Sequence, residues 1–192
     1  MFRVANQEYD ISSAYLKLFD DEDDEGADII CWGVRIIGKS RSDTDDMARW
    51  DPAIHADVLL QTKPTQTSHW YEIAGTTVTW NEPDEDPHAL FEVFESEAIY
   101  NCKWQFVRTP DASTVRLVLD GTVDVDVDHE KLPIHVDTQL GVAPLPMGRL
   151  SEAECYDRFR KLGLDDPVQY KIQEGGVSSL VFLNQPEPIT SW

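Results

Sequence analysis

Residues 98–108 alternate strictly between apolar and polar positions. Tyr100, Cys102, Trp104 and Phe106 share one parity, and Asn101, Lys103 and Gln105 share the other. A period of two predicts a strand with one face buried. Thr109-Pro110-Asp111-Ala112 has turn chemistry. Residues 113–119 alternate again, with Val115, Leu117 and Leu119 on one side. Asp120-Gly121 reads as a second turn. Val123, Val125 and Val127 then interleave with Asp124, Asp126 and Asp128. After Asp128-His129-Glu130-Lys131, a last strand sets Leu132, Ile134 and Val136 against Pro133, His135 and Asp137. The expectation is an antiparallel meander over about 98–140.

A one-residue slip would carry carboxylates into the core, so the apolar pattern constrains register. A four-residue loop at 109–112 pairs Phe106 with Val115 and Trp104 with Leu117. A three-residue loop at Leu119-Asp120-Gly121, with Gly121 left-handed, pairs Leu117 with Val123 and Val115 with Val125. A four-residue loop at 128–131 pairs Val125 with Ile134 and Val123 with Val136. The opposite face then carries a polar row, Gln105–Arg116–Asp124–His135.

Outside the meander, residues 14–19, 28–37 and 56–62 read as strands. The run Ile29 to Ile37 reads as apolar on both sides, which suits an interior strand. Residues 70–73 and 76–80 flank Ala74-Gly75 as a hairpin pattern, and residues 168–172 and 177–183 flank Gly175-Gly176 likewise. Ser151 with Glu154 is a capping box, and Cys155, Phe159 and Leu162 share a side, so 152–162 reads as a helix. The stretch 87–97 fits a helix started by Asp86 and Pro87, and fits a strand equally. Residues 42–50 have room for a helical turn or two. Together these elements predict a single domain over 1–192, mainly β: an antiparallel sandwich or a partly closed barrel.

Charge narrows the partners. The 192 residues hold 36 acidic and 16 basic side chains, for a formal net charge of −20. Nucleic-acid binding and docking on anionic lipid both need a basic face, so neither is expected. The acids cluster in the loop segments 20–28 and 82–86, and again across 120–130. Neither a signal-peptide core nor an apolar run of membrane-spanning length occurs. Cys31, Cys102 and Cys155 form no C-x-x-C pair, and their count is odd. The expectation is a soluble, reduced, cytoplasmic protein, with Cys102 a small core residue.

Candidate chemistry is sparse. No P-loop, G-x-G-x-x-G, G-x-S-x-G or H-E-x-x-H pattern occurs. The 20–28 run spaces Asp21, Asp23 and Glu25 as an EF-hand loop would, but Trp32 stands where the bidentate Glu belongs. At most it offers a loose calcium site. His55-x-Asp57 and His135-x-Asp137 each present an imidazole and a carboxylate on one strand face. Asp124 is the nearest third metal ligand for His135 and Asp137, with Asp126 or Asp128 behind it. Arg116, Asp124 and His135 are also the catalytic or ligand-binding candidates: a carboxylate to orient a histidine and an arginine for an anion. No cofactor is expected. Six tryptophans divide between core and surface, with Trp104 and one of Trp70 or Trp80 assigned to the core.

Three functions compete. The first is a non-enzymatic acidic binding or inhibitory module for a basic protein surface, recognised by charge complementarity. The second is an enzyme or small-ligand binder with its site in the β scaffold near Arg116, Asp124 and His135. In the third, the negative charge is only a solubility or salt adaptation, consistent with Asp (22) exceeding Glu (14).

Overall fold

The computed structural model describes residues 1–22, 28–40, 53–62, 73–81, 89–92, 96–110, 114–124, 131–161, 168–172, 178–182 and 189–190. Among them the chain forms β1 (Phe2–Val4), β2 (Gln7–Glu22), β3 (Asp28–Ser40), β4 (Ala53–Thr62), β5 (Thr77–Trp80), β6 (Ala89–Glu92) and β7 (Ser96–Arg108). Then follow β8 (Val115–Asp124), β9 (Lys131–Val142), β10 (Leu145–Pro146), α1 (Glu152–Lys161), β11 (Val168–Ile172), β12 (Ser178–Phe182) and β13 (Ile189–Thr190). Among the described residues the protein is mainly β with one helix, as its periodicity predicts.

Ten strands make one sheet in the order β1-β9-β8-β7-β6-β4-β3-β2-β13, with β5 also on β7. The sheet curls back on itself. β1 pairs antiparallel with both β9 and β2, and β2 meets β9 directly, in parallel, at Tyr15–Gly141 and Leu16–Val142. This is the partly closed barrel of the two expected architectures. The inward positions are almost all apolar where burial is described, with Thr138 on β9 a buried polar exception. Phe2, Leu16, Trp32, Ile36, Ile99 and Trp104 are fully buried. A second sheet, β10-β12-β11, and the helix lie beside it. Cys155 of α1 belongs to the same buried cluster, so the helix docks on the core.

The helix begins as its sequence dictates. Glu154 Oε2 accepts from the Ser151 backbone N–H at 2.8 Å and from the Ser151 hydroxyl at 2.6 Å. The Ser151 oxygen accepts the Glu154 N–H at 3.5 Å, which completes the capping box. These bonds hold the Glu154 carboxyl below its usual range. The ambiguous stretch 87–97 contains strand, not helix, over Ala89–Glu92. Its backbone pairs with β4 on one side and β7 on the other, and that tertiary pairing decides between two periods the sequence fits equally. β5 pairs with β7, while residues 70–72 of the expected hairpin lie outside the described residues; Thr76 N–H and Oγ1 both donate to the Ile73 carbonyl to turn the chain into β5.

The meander holds, but its middle turn does not. Asp120-Gly121 lies inside β8, which runs unbroken from Val115 to Asp124. Gly121 does not adopt the left-handed backbone that the turn required. It is needed for space. A Cβ there would stand 2.8 Å from Ile99 Cγ2 and 3.2 Å from the Tyr100 carbonyl oxygen. The crowding comes from a bulge in β7: Tyr100 pairs with Thr122 and Lys103 with Asp120, so Asn101 and Cys102 together face Gly121. Asn101 takes the positive φ of 46° there, as asparagine tolerates better than most residues. The bulge also turns Tyr100 outward, against expectation, and puts Ile99 in the core. Lys131 Nζ sits over the Tyr100 ring, 3.8 Å from its centroid.

Register moves accordingly. Phe106 pairs with Leu117 and Trp104 with Leu119, two residues from the expected partners. A shift of two keeps every side chain on its face, so the apolar side survives the error. The loop is longer than expected, and the Thr109 hydroxyl braces it by donating to the Thr114 carbonyl at 2.9 Å. Across the second ladder, Leu119 pairs with Val136 and Val123 with Leu132.

Candidate functional site

Continuity of β8 rewrites the outward row. The expected Gln105–Arg116–Asp124–His135 row does not exist. Arg116 and Asp124 lie on one strand, eight residues and about 26 Å apart at ~3.3 Å per residue. Asp124 pairs with Lys131 at the far end of the β8–β9 ladder. His135 pairs with Asp120 instead, and the true row reads Lys103–Asp120–His135–Arg3–Glu8 across five strands. Basic and acidic side chains alternate along it on either side of the histidine.

The row contains a close contact. His135 Nδ1 and Asp120 Oδ1 are 2.6 Å apart, so the imidazole donates from Nδ1 to the carboxylate. The carboxylate fixes the ring and leaves Nε2 as the other working nitrogen. The His135 side chain is 23% exposed and that of Asp120 is 59% exposed, which places the pair on the outer wall rather than in an enclosed cleft.

Arg116 is engaged elsewhere. Its Nε donates to Asp137 Oδ1 at 2.6 Å, and its Nη2 donates to Asp137 Oδ2. The two-pronged grip holds the Asp137 carboxyl below the usual carboxylate range, against a smaller opposing effect of partial burial. It also raises the Arg116 guanidinium further. The sheet therefore brings His135 and Asp137 to one face of β9, with Asp137 committed to Arg116, and leaves Asp124 at a distance. Asp124, His135 and Asp137 do not converge. Among the described residues no three His, Cys, Asp or Glu side chains gather as a metal site would require. Asp126 and Asp128, the centre of the 20–28 run and the 82–86 acids lie outside the described residues, as do residues 42–50 and Trp50, Trp70 and Trp192.

The described cysteines are structural in placement. Cys102 is buried beside Trp104, whose indole N–H donates to its sulfur. Burial pushes the Cys102 thiol up to about 12, the indole bond opposes this, and the Asp120 charge adds to it. A thiol held protonated at neutral pH is a poor nucleophile. Cys155 is likewise buried.

Asp120 is the outward-row residue that sequence reasoning assigned to a turn. The signal for it was present, because Val115, Leu117, Leu119, Gly121 and Val123 keep one parity without interruption. No protein-family model, curated protein or solved structure matches the chain.

Proposed function

We propose that this chain is a non-enzymatic acidic binding or inhibitory module whose partner presents a basic protein surface. The observation that carries this reading is the net charge of −20, with 36 acids against 16 bases. An excess of this size creates a field that attracts cationic partners and speeds their encounter. The described site chemistry supports the reading from the other side. Cys102 is buried and protonated, Arg116 is committed to Asp137, and the His135–Asp120 pair stands on an outer wall. A sheet with an apolar buried face and a charged outer face among the described residues is suited to binding by its surface.

The test is capture of partners at low ionic strength, followed by association kinetics of the captured protein over a salt series. The expected partner has a pI well above neutral, and its association rate falls steeply as salt screens the field. Asp120→Asn should slow association modestly while leaving dissociation nearly unchanged. An association rate equal at low and high salt, or partners of neutral or acidic pI, would overturn the proposal. Stability that rises strongly with salt, with no partner captured, would favour charge as a salt adaptation.

A further inference from the structure

We propose that Asp120-Gly121 is a latent backbone-modification site, where aspartate converts to β-linked isoaspartate only when β8 leaves the sheet. It is the one Asp-Gly step in the sequence, and no Asn-Gly step occurs. The chemistry needs nothing but water. The Gly121 amide nitrogen attacks the side-chain carbonyl carbon of Asp120. A C–N bond forms, the C–O bond to the carboxyl hydroxyl breaks, and that hydroxyl leaves with the amide proton as water. Water then opens the five-membered imide at either carbonyl. Opening at the side-chain carbonyl restores aspartate. Opening at the main-chain carbonyl routes the backbone through the side chain, one methylene longer. Glycine in the second position favours the reaction, because no Cβ hinders the attacking nitrogen.

Packing keeps that glycine in place. A Cβ at 121 would stand 2.8 Å from Ile99 Cγ2 and 3.2 Å from the Tyr100 carbonyl oxygen. The chain therefore cannot shed the reactive step at this position without disturbing β7. The aspartate side chain is 59% exposed, so water and protons reach it. The fold supplies the protection that the sequence lacks. Ring closure requires the Asp120 Cα–Cβ bond to eclipse the bond from the carbonyl carbon to the Gly121 nitrogen. β8 is extended through both residues. Asp120 is paired with Lys103 on one side and His135 on the other, and Gly121 is paired with Ile134. At the ψ of an antiparallel strand, about +135°, the two bonds are far from eclipsed. The side chain is restrained as well, because His135 Nδ1 donates to Asp120 Oδ1 at 2.6 Å and ties the carboxyl to the neighbouring strand.

Isoaspartate would insert an extra backbone atom ahead of Gly121. The four pairs from Gly121–Ile134 to Asp124–Lys131 would then lose register. A reversible opening of β8 would become permanent. This inference uses neither net charge nor a partner, so it stands or falls apart from the proposed binding role.

The experiment incubates the full chain at neutral pH, folded in buffer and unfolded in urea. Peptide mapping with electron-transfer fragmentation then distinguishes the two linkages at equal mass. The expected result is isoaspartate at residue 120 in urea, with accumulation at least roughly tenfold slower in the folded chain, since a ladder residue reacts only through opening events. Trp104→Ala, which loosens the core behind β8, should speed the reaction in buffer and leave the rate in urea unchanged. If Trp104→Ala fails to fold, the wild type in steps of urea takes its place, and the rate should climb with the unfolded population. Equal rates in buffer and urea overturn the proposal, and so does a urea sample in which residue 120 stays aspartate.

Discussion

On the inward side of β7–β9, Trp104, Phe106, Leu117, Leu119 and Val136 are sealed from water, each 0–1% exposed. On the outward side of the same strands, Lys103, Asp120, His135, Arg116 and Asp137 face solvent wholly or in part. One backbone serves both faces, and alternation separates them. Burial of a large apolar side chain is worth kilocalories, while an exposed charge pair is worth ~0.2–1 kcal/mol. The inward face therefore holds the fold, and the outward face is free to vary with little cost in stability. Under the proposed binding role, recognition can be tuned there without unfolding the sheet.

The sharpest way to break this contrast is Trp104→Ala. It removes a fully buried indole and leaves a cavity, so unfolding free energy should drop by ~3–5 kcal/mol in urea titration. A loss below ~1 kcal/mol would mean the inward face is not the core. Gly121→Val comes next. Its side chain must push Ile99 and the Tyr100 carbonyl aside, for a cost of ~1–3 kcal/mol, with Gly121→Ala costing less. A tolerated valine would show that β7 carries no bulge there.

The smallest effect belongs to the outward face. Arg116 depresses the folded-state Asp137 pKa. The stability this pair adds is therefore present above the ordinary carboxylate pKa and is lost as pH falls through the lower folded value, a window below about pH 4. Arg116→Gln should return the Asp137 carboxyl toward its ordinary value by NMR titration while barely moving the neutral-pH unfolding midpoint. A large midpoint shift would place stability on the outward face as well.

Much of the fold was legible because it depends on periodicity. The meander's faces, the β11–β12 pairing and the capping box at Ser151 all rest on local patterns of two or four residues. The apolar face even tolerated a wrong register, since an error of two residues preserves side. The site was less legible because it depends on which residues stand opposite one another. Asp-Gly is a strong turn signal, and it outweighed the unbroken parity from Val115 to Val123. Opposite that straight segment lies a bulge on the neighbouring strand, where Asn101 and Cys102 face Gly121 and the crowding leaves space only for a residue without a side chain. That bulge lies some twenty residues away in sequence. The polar row inherited the mistake: Asp124 was placed beside His135, where Asp120 belongs.

The seam where β1 and β2 meet β9 has a kinetic consequence. The backbone bond from Asp137 N–H to the Met1 carbonyl joins positions 136 apart in sequence, and Tyr15 meets Gly141 over nearly as long a span. Contacts of such separation are entropically expensive to form before the chain between them is ordered. The local β2–β3 and β7–β8–β9 ladders should therefore assemble first and the seam last, and until it closes the β2 and β9 edges stand open to pairing with other chains.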